Sequence, residues 1–140
     1  MSAAVSSHRA HVVWHAGRED LRAHTIGLGG QFVGGSSAPE YGGDPAKADP
    51  EELFVASLSA CHMLWFLDHA RRERLRVSAY EDEPEGEMDG TRFTRVELRP
   101  LVEWQAGAPA PELVEALHHR AHASCFIANS VACPVEVSPR

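Results

Sequence analysis

At 140 residues the chain has the length of a single domain, 1–140. Its 44% hydrophobic and 24% charged residues are ordinary for a soluble globular protein. Thirteen Lys and Arg against twenty Asp and Glu leave a net charge of -7, which argues against a nucleic-acid partner, because phosphate backbones are met by a basic face.

In chain order, Met1 to Val13 holds no apolar run of signal-peptide length, so a cytoplasmic location is expected. His11 to Trp14 reads as a short strand, Ala16-Gly17 as a turn, and Ala23 to Leu28 as a second strand closed by Gly29-Gly30. Residues 34–48, rich in Gly, Ser, Pro and Ala, read as a long surface loop. Asp49-Pro50-Glu51-Glu52 is a helix start: Asp49 can cap, Pro50 suits the first helical position, and Glu52 stands where a capping box needs it. The helix should run from Pro50 to about Arg74. Leu53, Phe54, Ser57, Leu58, Cys61, Leu64, Trp65 and Asp68 share one broad face of it. Its longest apolar stretch, Leu53 to Leu67, is broken by Ser57, Ser59 and His62 and is too short to span a bilayer, so no membrane partner is expected.

Leu75 to Tyr80 and Arg92 to Trp104 read as strands, with Glu81 to Gly90 as an acidic turn between them. Pro109 and Pro111 open a second helix, Glu112 to about Ala123, with Leu113, Ala116 and Leu117 as its apolar stripe. Ser130 to Val137 reads as a last strand. This order of strands, long helix, strands, helix and strand points to an α+β fold.

Three cysteines do not make a disulfide framework, and in a reducing compartment thiols are more often catalytic, redox-active or metal-binding. Cys61 on an apolar helix face, taken alone, reads as a buried inert thiol. The same holds for Cys125 at the end of the second helix and for Cys133 before Pro134. Three thiols can pair in three ways, and spacing does not choose among them. His119, His122 and Cys125 recur every third residue, with His118 one turn before His122. Steps of three drift round a helix, however, and a metal draws ligands from more than one element, so no metal is expected.

Ala48-Asp49-Pro50-Glu51-Glu52-Leu53-Phe54, followed by Ser59-Ala60-Cys61-His62, resembles the signature of the OsmC/Ohr family. There a Pro-Glu-(Glu/Gln)-Leu segment lies ten residues before the peroxidatic cysteine. The stretch from Ala121-His122 through Cys125 to Asn129-Ser130-Val131 resembles the family's second-cysteine segment. The Cys61-His62 pair and Arg22-Ala23-His24 resemble one OsmC-like subgroup. Phe126 departs from the pattern, since better-known branches carry proline after the second cysteine. The resemblance implies antiparallel sheets packed around a long central cysteine-bearing helix, and an interwoven homodimer. It further implies a thiol peroxidase of oxidative-stress defence that needs no cofactor; the apolar surroundings of Cys61, with Leu58, Leu64 and Trp65 nearby, would favour organic hydroperoxides, with hydrogen peroxide as a further substrate. Cys61 would become a sulfenic acid, Cys125 would close a Cys61–Cys125 disulfide, and an external dithiol, lipoyl-type compounds among the candidates, would reduce it. The activating arginine is Arg18, by position after the first strand, or Arg22, by the subgroup motif, and Glu51 would hold it. The alternative is a non-enzymatic protein of the same fold that binds a small ligand or a metal.

The long helix supports the dimer independently. About 25 residues span roughly 37 Å, more than a chain of this size needs for its own core. Val55, Met63, Phe66 and Leu67 make the helix apolar on its other sides as well, which normally means burial on most sides.

Overall fold

Three short strands lie early in the chain, the second and third joined by a tight turn. The computed structural model describes residues 4–140, which form two compact units, one reaching to Leu53 and the other Phe54–Arg140. In the N-terminal unit, β1 (His11–Val13), β2 (His24–Leu28) and β3 (Gln31–Gly35) make an antiparallel sheet in that order. Gly29-Gly30 turns β2 into β3 with Leu28 opposite Gln31, and Gly29 takes a φ of 59°, a conformation that suits glycine.

The strand β3 overlaps what the sequence reads as the start of a loop. Gly34 and Gly35 have poor strand propensity, yet Gly35 pairs with His24, whose ring fills the space a Cβ on Gly35 would need. The segment that follows is not simply surface. Ser36 and Ala38 are buried, the Ser36 N–H donates to the Ala48 carbonyl (2.9 Å), and the Ala48 N–H donates to that of Gly34 (3.0 Å). A 3-10 turn occupies Pro39–Tyr41.

Helix α1 (Pro50–Arg72) begins on the expected capping box. The Glu52 N–H donates to Asp49 Oδ1 (2.7 Å), and the Asp49 N–H donates to Glu52 Oε1 (2.9 Å). At its other end Arg74 takes the left-handed conformation (φ 60°). The Leu75 N–H reaches the Ala70 carbonyl (3.0 Å) and the Arg74 N–H that of Arg71 (2.9 Å), a Schellman ending with arginine where glycine is usual.

The C-terminal unit continues with β4 (Val77–Glu81), β5 (Glu85–Asp89), β6 (Arg92–Leu98), β7 (Leu101–Trp104), α2 (Pro111–Ser124) and β8 (Val135–Val137). Strands β4 and β7 pair antiparallel, as do β5 and β6, while β8 joins β6 in parallel, so the second of these sheets is mixed. The acidic stretch read as a turn contains β5, because Glu85 and Glu87 lie exposed on an edge strand and meet cations, Glu87 pairing with Arg95 (3.0 Å). The run Arg92 to Trp104 divides into β6 and β7 of different sheets. Pro100 has no N–H to donate there, and the Arg99 N–H is taken by Asp82 Oδ1 (2.6 Å). Only Val135–Val137 of the expected last strand is a strand; Ala128–Ser130 is a 3-10 turn, with the Ser130 N–H on the Ile127 carbonyl (2.9 Å).

Two apolar clusters hold this unit together. Phe66, Ala70, Leu117 and Ala121 join α1 to α2, with Tyr80, Val102 and Trp104 packed against them. Leu58, Val96 and Leu98 join α1 to β6, with Phe54, Phe93 and Val135 around them. α1 thus supplies residues to both clusters and is the central element of the unit. By length and composition alone this helix could cross a membrane, with a mean hydropathy of 1.2 in its most apolar window, because that window extends beyond Leu67. Its polar residues are engaged within the unit, however: His62 bonds His118, His69 bonds Ser124, and Asp68 pairs with Arg71 and Arg72.

Candidate active site

Cys61 and Cys125 are brought together from two helices. Cys61 lies mid-way along α1 and is half-buried, whereas Cys125 caps the C-terminus of α2 and is 1% exposed. The two thiols are neighbours, with Cys61 acting directly on the ionisation of Cys125. Both are free thiols. The Ala128 N–H donates to Cys125 Sγ (3.4 Å). Burial pushes the Cys125 thiol above its ordinary pKa; the Ala128 N–H opposes that shift and the neighbouring Cys61 adds to it. Only Cys61 combines exposure with a partner thiol.

The rim of this thiol pair is apolar. Trp65 sits one turn beyond Cys61 and meets Phe126 edge-on, with ring centroids 5.3 Å apart. Leu64 is 62% exposed and Phe126 65%. Cys133 is half-buried against the Leu58 cluster and belongs to the core there.

Glu51 stands in the first turn of α1, so ten residues of helix place it about 15 Å along the axis from Cys61. Arg18 and Arg22 are exposed residues of the N-terminal unit. The Arg22 carbonyl accepts from His24 Nδ1–H (2.8 Å), and its guanidinium lies against Gly42. Among the described residues of that unit neither arginine pairs with a carboxylate, Glu51 included; Asp20 and Asp44 are met by Lys47 instead.

The sequence reading gave no role to His62. It lies next to Cys61 but points elsewhere, since neighbours on a helix diverge by about 100°. His62 is 1% exposed and His118 5%, and His62 Nε2 lies 3.0 Å from His118 Nδ1. Both stay neutral near pH 7, their pKa values lowered to about 4, chiefly by burial. For His62 the nearby His118 and His122 add to the shift; for His118, Asp82 opposes it. The spacing of His118 and His122 was visible in the sequence, but the partner of His118 on α1 was not. Among the described residues no three His, Cys, Asp or Glu side chains group as a metal site. Beside α2, a cavity of about 690 Å³ is lined by Val102, Trp104, Val114, His118, His119 and His122, with Val135 and Val137 of β8.

The comparisons with known proteins agree with this architecture. The family model of OsmC-like proteins matches residues 42–140. An OsmC-like protein of unknown function from Vibrio cholerae is 35% identical, with a TM-score of 0.87 over 97% of this chain and 100% of that one. An organic hydroperoxide resistance protein OsmC from Legionella pneumophila is 23% identical, with a TM-score of 0.69 over 98% and 97% of the two chains. An organic hydroperoxide resistance protein from Elizabethkingia anophelis, with thiocyanate bound, is 19% identical, with a TM-score of 0.71 over 97% and 95%. A search of curated proteins finds no match. With two thiols meeting at the junction of a long central helix and a second helix, and with the family model covering most of its length, the chain belongs to the OsmC-like family.

Proposed function

We propose that the protein is a cysteine-based peroxidase that reduces organic hydroperoxides in oxidative-stress defence. The observation that carries this reading is the meeting of Cys61 and Cys125, which lie 64 positions apart in sequence, as free thiols of unequal exposure. The Cys61 thiolate attacks the terminal peroxide oxygen. The O–O bond breaks, the alcohol departs with a proton, and Cys61 becomes a sulfenic acid. Cys125 Sγ then attacks that sulfur, its proton leaves with the hydroxyl as water, and the disulfide forms. An external dithiol, of the lipoyl type or another, restores both thiols. Burial suits Cys125 to the second step, because a thiol held protonated and shut away does not compete for peroxide. The apolar rim of Leu64, Trp65 and Phe126 favours substrates with an apolar body over hydrogen peroxide.

A guanidinium favours the thiolate and orients a peroxide with its fixed donors. Arg18 or Arg22 fills this role, held by Glu51. The active form is a homodimer in the cytoplasm. A second copy covers the exposed Leu64 and brings Glu51 or an arginine to the thiol of the other chain, which the separation along one helix denies it.

The organic names of the Legionella and Elizabethkingia proteins support the substrate class, and the two-thiol geometry supports the cycle. Peroxide consumption should be followed with cumene hydroperoxide, a fatty-acid hydroperoxide and hydrogen peroxide, each with dihydrolipoate and with dithiothreitol, alongside light scattering. The expected result is turnover fastest with the organic substrates, by a particle of two chains that forms a Cys61–Cys125 disulfide when reductant is withheld. No disulfide with any peroxide would remove the peroxidase reading. A mass near one chain, with activity retained, would remove the dimer. The cavity beside His118 favours a second reading, a non-enzymatic binder of a small ligand, which that first outcome would promote.

A further inference from the structure

Three polar contacts tie α1 and the turn that ends it to α2, and only one is sealed from water. His69 Nε2 meets Ser124 Oγ (3.1 Å) and Arg120 meets Glu73 (3.0 Å), but the latter two side chains are 47% and 42% exposed, and such ion pairs contribute little. The third is His62 with His118. The rings lie parallel within 5°, and one N–H donates to the other's lone pair over 3.0 Å.

Stability alone does not explain this pair. His62 Nδ1 and His118 Nε2 are buried with no hydrogen-bond partner, which costs about 1–3 kcal/mol for each such group, whereas two leucines would pack without that penalty. What an apolar pair lacks is direction. Packed apolar side chains allow neighbouring registers of nearly equal energy, while a buried polar pair admits one. The position matters as well. His62 follows Cys61, and His118 stands seven residues, or about two turns, before Cys125. A slip or rotation of α1 against α2 at the pair is therefore passed to the thiols almost undiminished.

We infer that His62 and His118 are positioning residues: their hydrogen bond holds α1 and α2 in the one register that lets Cys61 and Cys125 form a disulfide. Neither ring touches the reacting atoms. Both are neutral at pH 7, so the contact is an ordinary imidazole–imidazole bond with no charge to bury; His122 and Asp82 are the ionisable neighbours acting on it. Phe66 stacks on His118 at 4.3 Å and fixes the ring plane from the side of α1. The inference deepens the two-thiol reading of the site, but its test needs no peroxide.

Diamide oxidises the two thiols directly: its N=N bond takes up two electrons and two protons and becomes a hydrazine as the S–S bond forms. The rate of Cys61–Cys125 closure should be measured in the intact protein, in the double variant His62→Leu/His118→Leu, and in His118→Asn, whose amide stands where Nδ1 stood. Alkylation of Cys61 by iodoacetamide and a thermal melt accompany each. The double variant should melt cooperatively and alkylate at the parental rate, yet close its disulfide about tenfold more slowly, since a misplacement of about 1 Å is enough for such a loss. His118→Asn should recover most of that rate. Parental closure in the double variant overturns the inference. So does an Asn variant as slow as the double, or a double variant that cannot fold, which would make the pair a requirement of folding and not of register. Closure by diamide that depends on the pair, in a protein inert to every hydroperoxide, would uphold the clasp while removing the peroxidase reading.

Discussion

Two stripes run side by side along α1 and meet different fates. Leu58, His62, Phe66 and Ala70 follow one another at every fourth position and are all 0–1% exposed, sealed by α2 and the sheets of the C-terminal unit. One residue round the helix, Cys61, Leu64, Trp65 and Asp68 stay half-open or open, Leu64 at 62%. Both stripes are mostly apolar, so composition does not separate them. The sealed stripe spends its surface on cohesion; the other keeps a thiol within reach of solvent and of a second thiol. A helix of this kind is at once core and active-site wall, and the two roles should respond differently to substitution.

The largest expected effect lies on the open stripe. Cys61→Ser should abolish peroxide reduction, because no nucleophile remains. Cys125→Ser should still accumulate a sulfenic acid at Cys61, detectable by dimedone trapping, but fail to turn over with a dithiol. Cys133→Ser should retain turnover. Loss of activity in Cys133→Ser with retention in Cys125→Ser would reverse the assignment of the second thiol.

The sealed stripe should dominate stability. Phe66 is fully buried between Tyr80, Trp104 and His118, so Phe66→Ala should cost about 3–5 kcal/mol in urea melts. Leu64→Ala should leave the stability of a single chain nearly unchanged. Equal losses at both positions would erase the distinction between the stripes for stability.

Acid should sharpen the comparison, because the histidine of the sealed stripe is held neutral. The folded pKa of His62 or His118, about 4, lies below the ordinary 6.5, so the unfolded chain binds the proton first. Their contribution is complete above about pH 6.5 and is lost as pH falls toward 4, on the order of 3 kcal/mol for one such histidine. The His62→Leu/His118→Leu variant should lose this part of the acid dependence in urea melts at pH 4.5 and 7. Identical slopes for variant and parent would refute the buried, neutral assignment.

A smaller effect belongs to the end of the helix, where both stripes stop. Arg74 sits in the left-handed region that ordinarily costs an L-residue about 1–2 kcal/mol. Arg74→Gly should therefore raise stability by about 0.5–1 kcal/mol, the entropy of glycine offsetting part of the relief. A lower melting temperature would mean that the arginine side chain holds something there.

The beginning of α1 was legible because capping is local: Asp49, Pro50 and Glu52 encode a hydrogen-bond pattern that lies within four residues, and it is formed as read. The strands were harder. β5 was hidden in Glu85, Glu87 and Asp89, whose charges are compatible with a strand only because they sit on an exposed edge beside Arg95 and Arg99. The break between β6 and β7 was marked by Pro100, but their division between two sheets depends on distant partners.

For the thiols the division is similar. The motifs around Cys61 and Cys125 were readable, and with them the family, because those residues stand at fixed spacings in the chain; the α+β class was readable from the order of strands and helices. Which face of α1 is sealed was not readable, since Leu64 and Phe66 are equally apolar and only the position of α2 and the sheets tells them apart. The contact between Cys61 and Cys125 and the bond between His62 and His118 span 64 and 56 positions. Local sequence governs helix starts and turns, because those are settled by neighbours along the chain. Exposure, thiol proximity and a buried imidazole pair are settled by neighbours in space, which exist only once the chain has folded.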